Sequence, residues 1–271
     1  MVSNLLESPF KGDVYVVNPK SDNVQGAKTY RTVEELPDVE CAIIAVAAKF
    51  CLQTVEVLAR GKGPKAFVIR SDGIGEETKE GAELAHKIDG IINSVGGSLI
   101  GPNCTGILTG NYNGSFGSPV PHVEPMGVDF VSGSGATAIF IVDNGMRKGI
   151  KFSSVFSVGN SAQIGVEEVL ESLDESFEEG KSSRIKLLYI ESITKPGKFL
   201  RHASSLRRKG CRIAAIKPGR TEAGGRAGSS HRGALSCPDV VVEALFRTAW
   251  IVSRHGREGT QPGAAVCMDP D

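Results

Sequence analysis

Short apolar runs alternate with amphipathic stretches along most of the 271-residue chain. The first half contains the runs "DVYVVNP", "CAIIAVAA", "KAFVIRS" and "GSLIGPN", each of which ends in Asn, Ala, Ser or Gly or in a turn built around them. Between them lie segments with apolar residues at helical spacing, "FCLQTVEVLARG" and "EETKEGAELAHKIDGIINSVG". Alternating strands and helices are typical of a parallel sheet, so the pattern predicts an α/β fold.

The alternation restarts after the proline-rich segment "GSPVPHVEP" at residues 117–125. Strands are predicted at "GVDFVS", "FSSVFSV", "IKLLYIE" and "CRIAAIKPG", with helices from about Ala136, in "GVEEVLESLDE", near "KFLRHASSLRRKG" and in "DVVVEALFRTAW". We therefore predict two doubly wound parallel-sheet domains, one over residues 1–121 and one over 122–256, followed by an irregular tail over 257–271. In such sheets ligands bind at the carboxyl ends of the strands.

Composition narrows the possible partners. The chain has 31 Lys and Arg against 31 Asp and Glu, so its formal net charge is zero and it offers no general affinity for nucleic acid or for acidic membranes. No apolar run is long enough to span a bilayer, and the start "MVSNLLESPFKGD" lacks the features of a signal peptide. The 6 cysteines form no C-x-x-C pair, which argues against zinc and against a disulfide framework. These features predict a cytoplasmic protein without a metal site.

One histidine lies in an unusual setting. His231 is surrounded by glycine, serine and arginine in "GRAGSSHRGALS", and no apolar residue at helical or strand spacing precedes it closely. The segment is predicted to be a loop. A lone loop histidine is most often a solvated surface residue, so this interpretation and a functional one have roughly even weight until the rest of the chain is considered.

A second motif has the form of a dinucleotide fingerprint. Gly133 to Ala138 fits G-x-G-x-x-A between a strand and a helix. The fingerprint requires an acid about 20 residues further on, but no Asp or Glu lies between Asn144 and Glu167. Nicotinamide binding is therefore disfavoured. The amide groups of a helix N-terminus still favour an anion, such as a phosphate carried by another molecule.

The order of the motifs is more specific than any one of them. "GDVYVVNPK", "GPNCTGI", "VSGSGATA", "FSVGN", "LLYIESI", "IKPGRTEAGGRAGSSHRGAL" and "VVEALFRTAWIV" follow one another from Leu5 to about Val252. In order and spacing the chain resembles the nucleoside-diphosphate-forming acyl-CoA synthetases, a family that includes ADP-forming acetyl-CoA synthetase and is related to the α subunit of succinyl-CoA synthetase. The resemblance implies a CoA-binding Rossmann-like domain followed by a flavodoxin-like domain that carries a phosphorylated histidine.

The resemblance implies a role for each matching residue of the second domain. His231 matches the histidine that carries the phosphoryl group between an acyl phosphate and ADP. A neutral imidazole can act as a nucleophile, and Glu191 at the end of "LLYIE" can orient its ring. Residues expected to bind the phosphoryl group are Ser134, Gly135, Ala136, Gly159 and Asn160. For Glu191 the alternative interpretation is a solvated carboxylate at a strand end.

The resemblance also implies a CoA site in the first domain. Asn18, Pro19 and Lys20 match the family's "VNPK", where the lysine would meet the CoA nucleotide; the less favoured alternative is a strand-ending turn with a solvated lysine. Asn103 and Cys104 of "GPNC" are expected near the thioester, and we favour a buried structural thiol over a nucleophile for Cys104.

Several features depart from the family pattern. Ala47 replaces the proline of "AVPA" on the side expected to contact pantetheine, and Arg232 replaces the threonine of "SHTGAL". The opening strand and glycine-rich CoA loop would precede Leu5, so we expect an incomplete CoA nucleotide site and a chain truncated at both ends. No ATP-grasp domain is recognised, so Mg-ADP or Mg-ATP is expected on a partner ATP-grasp β subunit or a missing domain.

The sequence thus predicts part of an acid–CoA ligase that acts on acyl-CoA, phosphate and carboxylic acid. Two alternatives stay open. The first is a module that senses acyl-CoA or a nucleotide without turnover, like the synthetase-like portion of some protein lysine acetyltransferases. The second is an inactive remnant. The pairing of His231 with Glu191 favours the enzyme, whereas the expected absence of the N-terminal loop favours the remnant.

Overall fold

The structure is a computed structural model that describes residues 1–75, 78–117, 120–218, 239–249 and 251–255. Within these residues no helix is long and apolar enough to cross a membrane. The α/β fold predicted from the alternation of strands and helices is confirmed.

The first domain contains a parallel sheet whose strands follow one another in space as they do along the chain. Its strands are β4 (Cys41–Ile44), β5 (Ala66–Ile69) and β6 (Ser98–Ile100), and the connecting helices are α2 (Ala48–Gly61) and α3 (Lys79–Ser94). The Thr78 side chain caps α3 by accepting a hydrogen bond from the Gly81 amide at 2.9 Å. Strands of buried β-branched residues between amphipathic helices are what the sequence pattern predicts.

The start of the chain forms a separate small sheet. Helix α1 (Val2–Glu7) precedes β1 (Val16–Val17), β2 (Asn23–Val24) and β3 (Ala27–Tyr30), which are arranged in the order β1-β3-β2. Strand β1 is thus much shorter than "DVYVVNP" and pairs in parallel with β3, whereas the pattern had placed it in the parallel sheet of this half. The difference arises because the β2–β3 hairpin lies next to β1 and supplies its hydrogen bonds.

The second domain is built on a seven-stranded sheet in the order β13-β12-β11-β9-β10-β7-β8. Its parallel part comprises β9 (Val123–Ser132), β10 (Phe152–Ser157), β11 (Ile185–Tyr189), β12 (Arg212–Lys217) and β13 (Val252–His255). The helices are α4 (Gly135–Arg147), α5 (Val166–Glu175), α6 (Pro196–Arg208) and α7 (Asp239–Thr248). Numbered within the domain, the order of the parallel strands is 2-1-3-4-5, which is flavodoxin-like as predicted.

A hairpin joins the second sheet from within residues 1–121. Strands β7 (Gly106–Thr109) and β8 (Tyr112–Asn113) form it, and β7 pairs antiparallel with β10. The second sheet is therefore mixed rather than wholly parallel. A sequence pattern shows where a strand lies but not which neighbour it pairs with, and the boundary near residue 121 stays a prediction.

Both faces of the second sheet are covered by helices. Alternate residues of β9 point to opposite faces, so that Val131 packs with α5, α6 and α7 while Phe130 packs with α4. A third apolar cluster fills the first domain between its sheet and helices α2 and α3. Each domain thus has its own core.

One ion pair lies inside the second domain. The Lys186 side chain is 1% exposed and its ammonium contacts the carboxylate of Asp129, which is directly opposite it on the neighbouring strand. Lys186 also donates to the Ser183 carbonyl at 2.8 Å, and Asp129 accepts from the Ser154 hydroxyl at 2.6 Å. Both charges are therefore paired and hydrogen-bonded, as burial demands.

Removing the positive charge should be costly because it leaves a buried carboxylate unpaired. We predict that Lys186→Met lowers the free energy of unfolding by about 3–5 kcal/mol. In contrast, Arg147→Met breaks an exposed pair with Asp143 on α4 and should cost less than about 1 kcal/mol. Urea denaturation of the two variants measures both values, and similar losses would contradict this account of the pair.

Candidate functional site

Strands β9 and β11 are parallel neighbours, but the strand that follows β9 in the chain, β10, lies on its other side. In flavodoxin-like sheets this switch point between β9 and β11 forms a crevice at the carboxyl ends of the strands. Tyr189 of β11 is in register with Ser132 of β9, so both strands end at the same level. Half-buried Glu191 lies two residues after Tyr189 and packs against the turn that follows β9. If Gly133 in this turn carried a Cβ atom, that atom would lie 3.3 Å from Glu191 Cγ. Glu191 and the glycine-rich turn predicted to bind phosphate are thus neighbours.

Helix α4 begins inside this turn. The Ser134 side chain caps it by accepting from the Thr137 amide at 3.4 Å, and the Ser134 amide donates to the Ser132 hydroxyl at 3.1 Å. Ser134 therefore shapes the turn but does not present its own amide. The amides of Gly135 and Ala136 have no hydrogen-bond partner among the described residues, so they are the donors that a phosphoryl group can use.

The same helix end touches the first half of the chain. A Cβ atom on Gly135 would lie 2.9 Å from Thr105 Cγ2 and 3.8 Å from the Cys104 carbonyl carbon. Thr105 is further fixed by its amide, which donates to the Ser157 hydroxyl at 3.0 Å. The N-terminus of α4 thus lies between Glu191 on one side and the segment expected near the thioester on the other.

The Gly159–Asn160 loop holds the two sheets together at their carboxyl ends. Gly159 has φ of +59°, and a Cβ atom on it would lie 2.1 Å from the Pro102 carbonyl oxygen. The Asn160 amide donates to that same carbonyl at 2.9 Å, while its side-chain amide donates to the Ile74 carbonyl at 3.0 Å. Both residues were predicted to bind phosphate; in the structure the bonds they make position the loops around the site.

Asn103 and Cys104 follow β6 at the same edge. Asn103 has φ of +57°, and its amide donates to the Ser71 carbonyl at 3.1 Å. Cys104 is 2% exposed, and its thiol contacts the Ile69 carbonyl at 3.3 Å. Burial raises the pKa of this thiol, so it remains protonated near neutral pH. Cys104 is thus buried, as its structural interpretation requires.

The other residues expected to contact CoA follow strands β1 and β4. The Asn18 side chain accepts from the Lys20 amide at 2.9 Å, which forms a turn after β1, and the Pro19 carbonyl accepts from Arg31 at 2.8 Å. Lys20 is exposed, as is Ala47 at the N-terminus of α2. This arrangement is the alternative turn with a solvated lysine, and a CoA role for these residues stays a prediction.

His231, the predicted nucleophile, lies outside the described residues, as do Arg232 and the tail. In the described part of the chain no group of three His, Cys, Asp or Glu side chains is arranged to hold a metal ion. Sequence reasoning missed Thr105 and also Arg70, whose guanidinium lies over the Phe116 ring. A signal for Arg70 was present: it is a charge directly after the apolar strand "AFVI", at the edge where ligands bind.

Two family models match the chain, and together they cover most of it. A CoA binding domain matches residues 1–110, and a succinyl-CoA ligase like flavodoxin domain matches residues 125–258. The α subunit of an ADP-forming acetate–CoA ligase II from Pyrococcus furiosus is 35% identical over 89% of this chain and 51% of its own length. An ADP-forming acetate–CoA ligase from Methanocaldococcus jannaschii is 37% identical over 91% of this chain and 34% of its own length.

Solved structures agree with this result. An acetyl-coenzyme A synthetase 1 from Ca. Korarchaeum cryptofilum, described as dinucleotide forming and in complex with phosphate and ADP, superimposes with a TM-score of 0.85 at 30% identity. That alignment covers 99% of this chain and 57% of the other. The chain therefore spans about a third to a half of the length of these curated relatives and somewhat more than half of the solved chain.

Fold, site and family models define a protein in which a CoA-binding domain is joined to a succinyl-CoA-ligase-like flavodoxin domain. The chain belongs to the family of nucleoside-diphosphate-forming acyl-CoA synthetases, which its motif order resembles.

The close approach at Gly159 can be tested against a glycine that has a similar backbone but no neighbour. Gly180 has φ of +77°, and a Cβ atom on it would meet nothing within 4 Å, so Gly180→Ala should cost only the left-handed conformation, about 1–2 kcal/mol. Gly159→Ala carries that cost and also forces the loop off the Pro102 carbonyl, which should add about 1–3 kcal/mol. Urea denaturation of both variants checks this, and equal losses would contradict a contact at Gly159.

Proposed function

We propose that this chain is the CoA-handling and phosphohistidine part of an acid–CoA ligase that forms a nucleoside triphosphate. The overall reaction interconverts acyl-CoA, phosphate and a nucleoside diphosphate with the free acid, CoA and the triphosphate. Family membership supports the reaction class. The observation that carries the proposal is the position of the α4 N-terminus, which contacts Thr105 of the first half and the turn beside Glu191.

In the first step a phosphate oxygen attacks the thioester carbonyl, the C–S bond breaks, and CoA leaves as its thiolate. The product is an acyl phosphate. The amides of Gly135 and Ala136 have no partner in the described part of the chain, and with the dipole of α4 behind them they support a phosphoryl group at this place. The packing of Gly135 against Thr105 supports a phosphate site next to the segment expected near the thioester.

In the second step a ring nitrogen of His231 attacks the phosphorus atom, and the carboxylate leaves as the free acid. The ring acquires a positive charge as the P–N bond forms. A carboxylate that accepts a hydrogen bond from the other ring nitrogen stabilises this charge and fixes the tautomer. Glu191 suits that role because it lies half-buried at the switch point, against the turn proposed to bind phosphate.

In the third step the phosphohistidine donates its phosphoryl group to ADP or GDP and His231 becomes neutral again. The nucleotide, with Mg²⁺, is held by an ATP-grasp β subunit or by a further domain of the same protein. Support comes from the relatives, one of which is named as a subunit alpha, and from the share of their length that this chain covers. The proposal requires His231 to meet the acyl phosphate and the nucleotide in turn.

Phosphorylation of the chain by an acyl phosphate tests the proposal without the partner. Incubation with labelled acetyl phosphate should give an acid-labile, base-stable phosphate on His231, and His231→Ala should abolish it. Glu191→Gln should slow labelling by about 10²-fold because the imidazolium loses its counter-charge. Mass spectrometry at alkaline pH locates the label and a time course gives the rate.

Matched controls separate this result from loss of folding. His86→Ala on α3 and Glu56→Gln on α2 change exposed or partly exposed residues away from the crevice, and both should label like the unaltered chain. Thermal melting confirms that each variant is folded. Label on His86, His122, His202 or His255 instead of His231, or none on any histidine, would overturn the proposal and favour a binding module or a remnant.

A further inference from the structure

Arg70 occupies the carboxyl edge of the first sheet. It follows β5 directly, and its amide donates to the Ile44 carbonyl at 2.9 Å, which fixes its backbone to the end of β4. Its guanidinium carbon lies 3.7 Å from the centroid of the Phe116 ring. The guanidinium is thus stacked on an aromatic face, which orients it and leaves its in-plane N–H groups for hydrogen bonds.

The charge of Arg70 has no acidic partner in the described part of the chain. No Asp or Glu among those residues forms an ion pair with it, and its Nε atom is buried without a hydrogen-bond partner. Burial lowers the pKa of Arg70, and the nearby Cys104 thiol is itself kept neutral because burial raises its pKa. A half-buried cation whose buried Nε has no partner among the described residues is an unfavourable arrangement that an anion would relieve.

The neighbours of Arg70 lead towards the site already described. The Phe116 amide donates to the Thr105 carbonyl at 2.7 Å, and Thr105 in turn contacts Gly135 at the start of α4. Arg70, Phe116, Thr105 and the α4 N-terminus therefore follow one another in space. An anion bound to Arg70 would therefore lie on the side of the crevice formed by the first domain.

We propose that Arg70 is a substrate-binding residue that holds an oxyanion, either a carboxylate or a phosphoryl group, through its guanidinium edge. The assignment rests on the function proposed above and adds a recognition element to the same site. Two parallel N–H groups match two oxygens of either anion, which a lysine ammonium cannot reproduce. Stacking on Phe116 holds the fork in place before the ligand arrives.

Nuclear magnetic resonance of the arginine Nε–Hε groups in the full-length chain tests this directly. Titration with sodium phosphate, acetate and succinate should shift the Arg70 signal, which is identified by its loss in Arg70→Gln. We expect Arg70→Gln to weaken binding of the effective anion about tenfold or more, because a charge-assisted hydrogen bond is lost. Arg70→Lys keeps the charge and should be intermediate; Phe116→Leu removes the stacking and should also weaken binding.

Arg60→Gln serves as the control, since Arg60 is an exposed arginine that pairs with Glu56 on α2. It should bind the anion like the unaltered chain. A response to phosphate alone assigns the site to a phosphoryl group, equal responses to acetate and succinate assign it to the reacting carboxylate, and a response to succinate alone assigns it to a second carboxylate of the acid. All three outcomes support an oxyanion site.

The proposal is overturned if none of the three anions shifts the Arg70 signal, or if Arg70→Gln binds the effective anion with unchanged affinity. Neither measurement depends on turnover or on His231. Failure of histidine labelling and failure of Arg70 to bind an anion are therefore separate results.

Discussion

The contact of Gly159 with the Pro102 carbonyl determines how the two domains meet. A side chain at this position would overlap a backbone oxygen, so only glycine allows the loop after β10 to reach the loop after β6. Further hydrogen bonds follow from this approach: the amides of Asn160, Ala162 and Ile164 donate to carbonyls of residues 99–102. The loop after β10 thereby continues the edge of the first sheet, and the carboxyl ends of both sheets face one crevice.

The chemistry of the site depends on that junction. A helix N-terminus and a carboxylate at a switch point belong to the second domain alone, and together they are suited only to an anion. Contact between Gly135 and Thr105 adds the first domain, where the family binds CoA. Phosphate activation and thioester chemistry require both groups of residues, so the function proposed for the chain is a property of the interface and not of either sheet.

Burial separates structural polar groups from those available to a ligand. Lys186 and Asp129 are deeply buried, pair with each other and have further hydrogen bonds, so they stabilise the second domain and are not accessible to a ligand. The Gly135 and Ala136 amides and the guanidinium of Arg70 are different, because strong donors remain without partners in the described part of the chain. Unsatisfied donors at the carboxyl edge of a sheet are the physical mark of a binding site.

The sequence by itself determined the α/β class, because strand and helix periods are local properties, and its motif order indicated the family and with it the flavodoxin-like second half. It also placed Glu191 and Ser134 after strands, but the pairing of β9 with β11 brings them together. Tertiary structure alone decided the rest. The pairing of β1 with β3, the β7–β8 hairpin on the second sheet and the bonds of Asn160 to distant carbonyls all depend on which surfaces meet. Arg70 shows the same limit: its charge is visible in the sequence, but its stacking on Phe116 and its lack of an acidic partner among the described residues depend on residues far apart in the chain.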